Sequence, residues 1–255
     1  TAKYDTLINV PMSIPYALSA SVVPSLVAVV TTGTKREVHY KIDQTLRLTM
    51  FLTIPCCIGF LTLASPLMVL LYNDASATPA NLLMLGAGVI VLFSWSSVSN
   101  SILHGLNHMS SPAKNAGISL VIHLIAFVIM MTVFKMNVYA LVCSNIVFAV
   151  CMCYLNQRKI RKVCGFRVNI VHTFIKPLIA AAIMGVVTYA VHLVLDLLIG
   201  GRFIPTIAAI LVAVVVYIVI ALKIGTLSED DIEALPMGAR LLRLCRRLNL
   251  LPAAH

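Results

Sequence analysis

The sequence predicts an all-α, polytopic membrane protein of about seven transmembrane helices. Three observations carry that prediction. The chain holds seven long apolar segments, it is 60% hydrophobic with a mean hydropathy of +0.98, and its cations cluster in alternate connections. A helix of about 20 residues rises about 30 Å, the thickness of a bilayer's hydrocarbon core. The segments are Leu7–Val30, Leu46–Tyr72, Asn81–His104, Ala113–Phe134, Met136–Asn156, His172–Leu197 and Phe203–Lys223.

If the first segment runs from outside to inside, the inside connections are Thr31–Thr45, Gly105–Pro112, Gln157–Val171 and the tail from Ile224. With their flanks they carry Lys35, Arg36, Lys41, Arg47, Lys114, Arg158, Lys159, Arg161, Lys162, Arg167, Lys176, Lys223, Arg240, Arg243, Arg246 and Arg247. That is 16 of the 19 Lys and Arg, and only Lys3, Lys135 and Arg202 remain for the outside. The asymmetry follows the positive-inside rule and predicts a cytoplasmic C-terminus. Arg158, Lys159, Arg161 and Lys162 form the strongest cytoplasmic anchor. The net charge of +10 is therefore first a topology signal. A nucleic-acid partner would need a basic patch on a soluble face, and none is expected. Membrane lipid is the expected partner of the basic stretches, at roughly 1 kcal/mol per cation near an anionic surface. An odd span count puts the N-terminus outside without an initiator Met or a signal peptide, so the expectation is a fragment lacking its N-terminal portion.

The first span contains Pro11, Pro15 and Pro24, and each proline removes a backbone bond and tends to kink its helix. In lipid the freed carbonyls must find partners, so such a helix faces protein or a water-filled cavity. It is read either as a kinked packing helix or as one that bends during transport. Ser13, Ser19, Ser21 and Ser25 suit both readings, because small polar residues allow close helix contact. Thr31–Arg47, polar and mixed in charge, is expected as a loop leading into the second helix. That helix holds Pro55 with Gly59 four residues on, a second flexible point. Tyr72–Ala80 and Gly200–Gly201 are expected outside, Gly105–Pro112 is a tight inside turn, and Lys135 sits in a very short outside turn. Residues 1–156 thus form five helices and residues 172–223 a final pair. Residues 224–255 form a cytoplasmic amphipathic tail. In the tail, Ser228 and Asp231 resemble a capping box and Pro236 ends a short helix. Leu241, Leu244, Cys245 and Leu248 then oppose Arg240, Arg243 and Arg247, as in an interfacial helix.

Seven cysteines with no external pair argue against a disulfide framework. Cys151 and Cys153 point to different helix faces, which disfavours a metal site. Ionisable groups inside spans are costly and so are the default functional candidates. They are His104 at an inside end, His123, and the pair His192 and Asp196. The last two lie four apart on one helix face near the outer end. They are read as a proton or cation relay, or as a hydrogen-bonded interfacial pair; a catalytic dyad lacks a third partner. His123 is read as a core histidine bonded to a neighbouring helix. There is no GxxxxGK[ST], HExxH or GxSxG, so no catalytic residue, metal or cofactor is assigned, and transport would draw on a gradient.

Several stretches together resemble the C-terminal half of a polysaccharide or lipid-linked oligosaccharide flippase. They are Val10-Pro-Met-Ser-Ile-Pro-Tyr-Ala-Leu-Ser-Ala-Ser-Val-Val-Pro-Ser25, Arg47-Leu-Thr-Met50, Ile54-Pro-Cys-Cys-Ile-Gly-Phe-Leu-Thr-Leu-Ala-Ser-Pro66, Ile102-Leu-His-Gly-Leu-Asn107, Pro112-Ala-Lys-Asn115 and Lys176-Pro-Leu-Ile179. The tail adds Leu227-Ser-Glu-Asp-Asp-Ile-Glu-Ala-Leu-Pro236 and Arg240-Leu-Leu-Arg-Leu244. The resemblance is to the stage V sporulation protein B group within the multidrug/oligosaccharidyl-lipid/polysaccharide exporter superfamily. It implies fourteen helices in two lobes around a cavity, of which these seven would be the eighth to the fourteenth. The N-terminal lobe of the same protein and one helix of the second lobe would be missing. It also implies an undecaprenyl-linked glycan substrate, alternating access, and a groove for the lipid tail between the last two helices. The family's cationic pyrophosphate ligands have no counterpart inside these spans. A multidrug–cation antiporter is the alternative, although that group usually stops at twelve helices and lacks this tail. A membrane enzyme acting on lipid-linked sugars would need convergent carboxylates or histidines, and only His192 and Asp196 come near.

Overall fold

The computed structural model describes residues 2–73, 77–199, 203–227 and 231. Within them lie seven helices, each long and apolar enough to cross a bilayer. They are α1 (Ala2–Thr32), α2 (Lys35–Tyr72), α3 (Ala77–Gly105), α4 (Ser110–Thr132), α5 (Val138–Cys164), α6 (Lys176–Ile199) and α7 (Phe203–Lys223). A π-helical turn, Val171–Ile175, leads directly into α6. The all-α membrane class and the count of seven both hold.

Two expected loops are corrected. The segment Thr31–Thr45 is not a loop, because α2 begins at Lys35. Thr34 and Glu37 form a reciprocal cap: the Thr34 hydroxyl accepts from the Glu37 N–H at 3.4 Å, and the Glu37 carboxylate accepts from the Thr34 N–H at 3.3 Å. A Cβ on Gly33 would stand 2.5 Å from the Glu37 carboxylate, so the glycine leaves room for the cap. Beyond the cap, Val38, Ile42 and Leu46 recur every four residues and bury one face against Val22, Leu26, Val98 and Ile102. Likewise Gln157–Val171 is not wholly a connection, since α5 runs on to Cys164 and stops at Gly165, whose φ of 78° suits glycine. Arg161 and Lys162 thus occupy a helix C-terminus, where the macrodipole favours cations.

The π turn has a local cause. Pro177 has no N–H, and its ring would crowd the carbonyl of Thr173, four residues back. The wider turn answers this by bonding the Lys176 N–H to the Val171 carbonyl, five residues back.

α3 is the hub, packed against α1, α2 and α5, while α6 and α7 pair with each other and lean on α2. α6 meets α2 closely at Gly185, where a Cβ would stand 2.7 Å from Ile58 Cγ2. α4 rests chiefly on α5 and turns Leu120, Val121, Leu124, Ile125 and Val128 outward.

Candidate functional site

α1 remains one continuous helix through all three prolines. Pro11 and Pro15 are buried and Pro24 is exposed. Each proline withholds a donor from the carbonyl four residues back, namely that of Leu7, Pro11 and Ala20. Among the described residues, no side chain from another helix bonds to these three carbonyls. The nearby serines serve other carbonyls in their own helix: Ser13 donates to Val10 at 2.6 Å, Ser21 to Leu18 at 2.8 Å and Ser25 to Val22 at 2.9 Å. Ser19 reaches out instead and bonds Ser97 of α3 at 3.1 Å. The opposite face, with Val10, Ser13, Tyr16, Ser21, Pro24 and Thr31, is exposed.

α2 treats its prolines differently. Pro55 frees the carbonyl of Phe51, and the Tyr217 hydroxyl of α7 donates to that carbonyl at 2.7 Å. Tyr217 is 5% exposed and its ring lies 5.2 Å from that of Phe51, so the bond is held in a dry, packed site. The helix is regular through Pro55. Its non-helical residue is Leu63 (φ −111°, ψ 19°), one turn before Pro66. That φ tilts the Thr62–Leu63 peptide, and with it the carbonyl that the Pro66 ring would crowd.

At the same end as the caps, Arg47 binds two carboxylates, Asp43 one turn back and Asp231 beyond α7, each at 3.1 Å. Asp231 is fully buried. The Lys176 ammonium donates to the Gly225 carbonyl at 3.0 Å, so α2, α6 and the chain after α7 are joined by charge-assisted bonds. The expected first-turn carboxylate Asp231 therefore faces α2. Ser228, Pro236 and the proposed interfacial helix lie outside the described residues, as do Gly200–Arg202.

A second polar chain crosses the bundle. Asn115 of α4 donates to Asn156 of α5 at 2.8 Å, and Asn156 donates to Asn100 of α3 at 2.7 Å. Asn156 is fully buried. Neither chain is legible from titratable groups within the spans, because one runs through amides and the other through the polar start of α2. Three asparagines in segments otherwise rich in Leu, Val and Ile were the available signal.

The expected outer pair is not brought together by a bond. The His192 ring nitrogen lies 3.4 Å from the Thr206 hydroxyl of α7, and Asp196 is exposed. His123, expected to bond a neighbouring helix, instead packs edge-on against Phe148 with ring centroids 6.0 Å apart, and its buried Nδ1 has no hydrogen-bond partner among the described residues. Arg158, Arg161 and Lys162 are exposed on the last turns of α5 and Lys159 is half-buried. Cys56, Cys57, Cys143, Cys151, Cys153 and Cys164 are free thiols. Cys153 donates to the Leu92 carbonyl at 3.1 Å, the packing role expected of a small buried thiol.

Against known proteins, residues 5–209 match the family model described as lipid II flippase MurJ. The lipid II flippase MurJ of Bacillus subtilis (strain 168) is similar, at 26% identity over 239 residues. That alignment covers 90% of this chain and 44% of the relative, so the chain spans less than half the relative's length. The tail motif that suggested the sporulation group lies beyond residue 209, where the family match ends. The match runs from α1 into α7, and the chain belongs to the MurJ family of lipid II flippases.

Proposed function

We propose that this chain supplies one side of a transporter that flips a lipid-linked peptidoglycan precursor across the cytoplasmic membrane by alternating access. The family match over residues 5–209 carries the reading. The seven helices form most of one lobe of the cavity wall, and the remainder of the transporter completes it. The connections rich in cations lie in the cytoplasm, with the C-terminus on that side. Labelling of Cys164 by an impermeant thiol reagent from outside intact cells would overturn this orientation.

α1 is the moving wall. Its three orphaned carbonyls leave it with bends of similar energy, which a two-state transporter needs. Its exposed hydroxyl-bearing face is turned to the cavity. Pro15→Ala or Pro24→Ala restores a helix bond and favours one conformer. Flipping per folded molecule then falls several-fold while insertion persists. Unchanged specific activity in both variants would sink the hinge. His192, Asp196 and His123 are the coupling candidates. Asp196→Asn should flatten the pH dependence of flipping and leave substrate binding intact; a retained pH profile removes the pair from that role.

A further inference from the structure

The basic end of the bundle holds a half-open cleft of about 530 Å³ between the end of α1, the start of α2 and the end of α5. Its rim carries Lys35, Arg161 and Lys162, and its walls include Val30, Val38 and Leu106. We infer that this cleft binds the phosphodiester headgroup of an anionic membrane lipid. The inference stands apart from the transport reading, because it concerns a lipid resident in the bilayer rather than the cargo.

Three observations point the same way. None of the three rim cations is ion-paired with a described residue. The nearby carboxylate, Glu37, is engaged by the Thr34 N–H. The N-terminus of α2 faces the cleft together with the C-termini of α1 and α5, so the helix dipoles oppose one another and the positive potential is set by the rim cations. Its walls are fixed: the His39 ring donates from Nε2 to the Cys164 carbonyl at 2.7 Å and packs edge-on against Phe166. That bond ties α2 to the end of α5 and commits His39 to the wall rather than to the ligand.

The mix of wall and rim selects the ligand. A free phosphate would be served by the cations alone and gains nothing from Val30, Val38 and Leu106. A lipid offers both halves, a phosphodiester for the rim and a glycerol and upper acyl chain for the apolar wall. Each cation near an anionic headgroup contributes about fivefold in affinity, so three contribute about 100-fold.

The test uses the purified protein in micelles, titrated with short-chain phosphatidylglycerol or phosphatidylcholine, with retained lipids counted by native mass spectrometry. The triple variant Lys35→Gln/Arg161→Gln/Lys162→Gln should lose one phosphatidylglycerol, bound about 100-fold more weakly, and bind phosphatidylcholine as before. Arg158→Gln, an exposed change on the same helix outside the cleft, should bind like the parent. Where the triple variant does not fold, the exposed rim change Lys162→Glu gives the same reading, with a loss of about 25-fold from two units of charge. Three results overturn the site: phosphatidylglycerol retained within threefold by the folded variant, an equal loss in Arg158→Gln, or full displacement by an equal concentration of inorganic phosphate. The first removes the cleft, the second leaves only diffuse charge, and the third leaves a soluble-anion site.

Discussion

α1 and α2 both carry prolines deep within apolar helices, and the bundle treats them in opposite ways. In α2 the carbonyl freed by Pro55 is taken by Tyr217 of α7, and the helix passes Pro55 without a break. At Pro66 no side chain from another helix reaches the Thr62 carbonyl among the described residues, and the backbone leaves helical geometry at Leu63. In α1 three carbonyls are freed, none has a cross-helix partner among the described residues, and the helix still runs on. A proline's effect in lipid is thus decided by what the neighbouring helix offers the orphaned carbonyl. A donor such as Tyr217 ties a proline site to the neighbouring helix, whereas the carbonyls freed in α1 are left without such a tie among the described residues.

The sharpest test is removal of the donor. Tyr217→Phe keeps the ring and its contact with Phe51 but leaves the Phe51 carbonyl buried and unpaired. The expected cost is about 1–3 kcal/mol, read as a lower midpoint of unfolding in micelles. A stability equal to the parent's would break the comparison, because the hydroxyl would then not be holding the joint.

Pro55→Ala next asks whether the proline is the reason for the bond. Alanine restores an N–H for the Phe51 carbonyl, so Tyr217 is no longer needed there. The double variant Pro55→Ala/Tyr217→Phe should therefore be more stable than the two single changes summed, by about 1 kcal/mol of coupling. Strict additivity would show the two residues to be independent.

The split between what the sequence tells and what it hides follows the same logic. The seven spans were legible because a bilayer enforces length and apolarity on every crossing helix. The start of α2 is masked by its polarity, which suggests a loop, although Thr34 and Glu37 carry a capping signature and Val38, Ile42 and Leu46 keep helical period. The end of α5 hides for the same reason: Arg158, Lys159, Arg161 and Lys162 are charged, yet Asn156 and Ile160 are fully buried on the inner face. Site residues were harder. Pro55 was visible, but its partner lies 162 positions on in another helix, and nothing local marks Tyr217 as a donor. The joining of Arg47 to Asp231 is equally long-range. His192 and Asp196 have helical spacing, but the packing of α6 against α7 brings Thr206 to the histidine first.

Which helix is central was also hidden. About 56% of the most apolar stretch of α3 is buried, against 6% for α4, although the two are almost equally apolar. In lipid, apolarity marks insertion and small or polar residues mark contact. The serines of α3 (Ser94, Ser96 and Ser99, all buried) carried that information. Ile90→Ala in α3 should consequently cost about 2 kcal/mol or more, whereas Ile125→Ala on the exposed face of α4 should stay within about 0.5 kcal/mol.

The smallest expected effect tests α1 most directly. Ser19 bonds Ser97 and so tethers the proline helix to the hub between Pro15 and Pro24. Ser19→Ala removes that bond, and polar side-chain bonds between membrane helices average about 0.6 kcal/mol. Such a loss moves the midpoint of unfolding only by about 1–2 °C. If α1 bends as proposed, the change acts differently on its two states, because the tether belongs to the geometry seen here. The balance between bends should shift by about threefold, away from this geometry. Spin labels at Val10 and Val27, both exposed, read that balance without disturbing the buried face. Ser21→Ala is the matched control, since Ser21 bonds only the Leu18 carbonyl within its own helix. A shift in Ser19→Ala alone identifies a tether acting on a soft helix. An equal shift in both variants would trace it to local helix propensity, and α1 would then be no softer at its prolines than α2 is at Pro55.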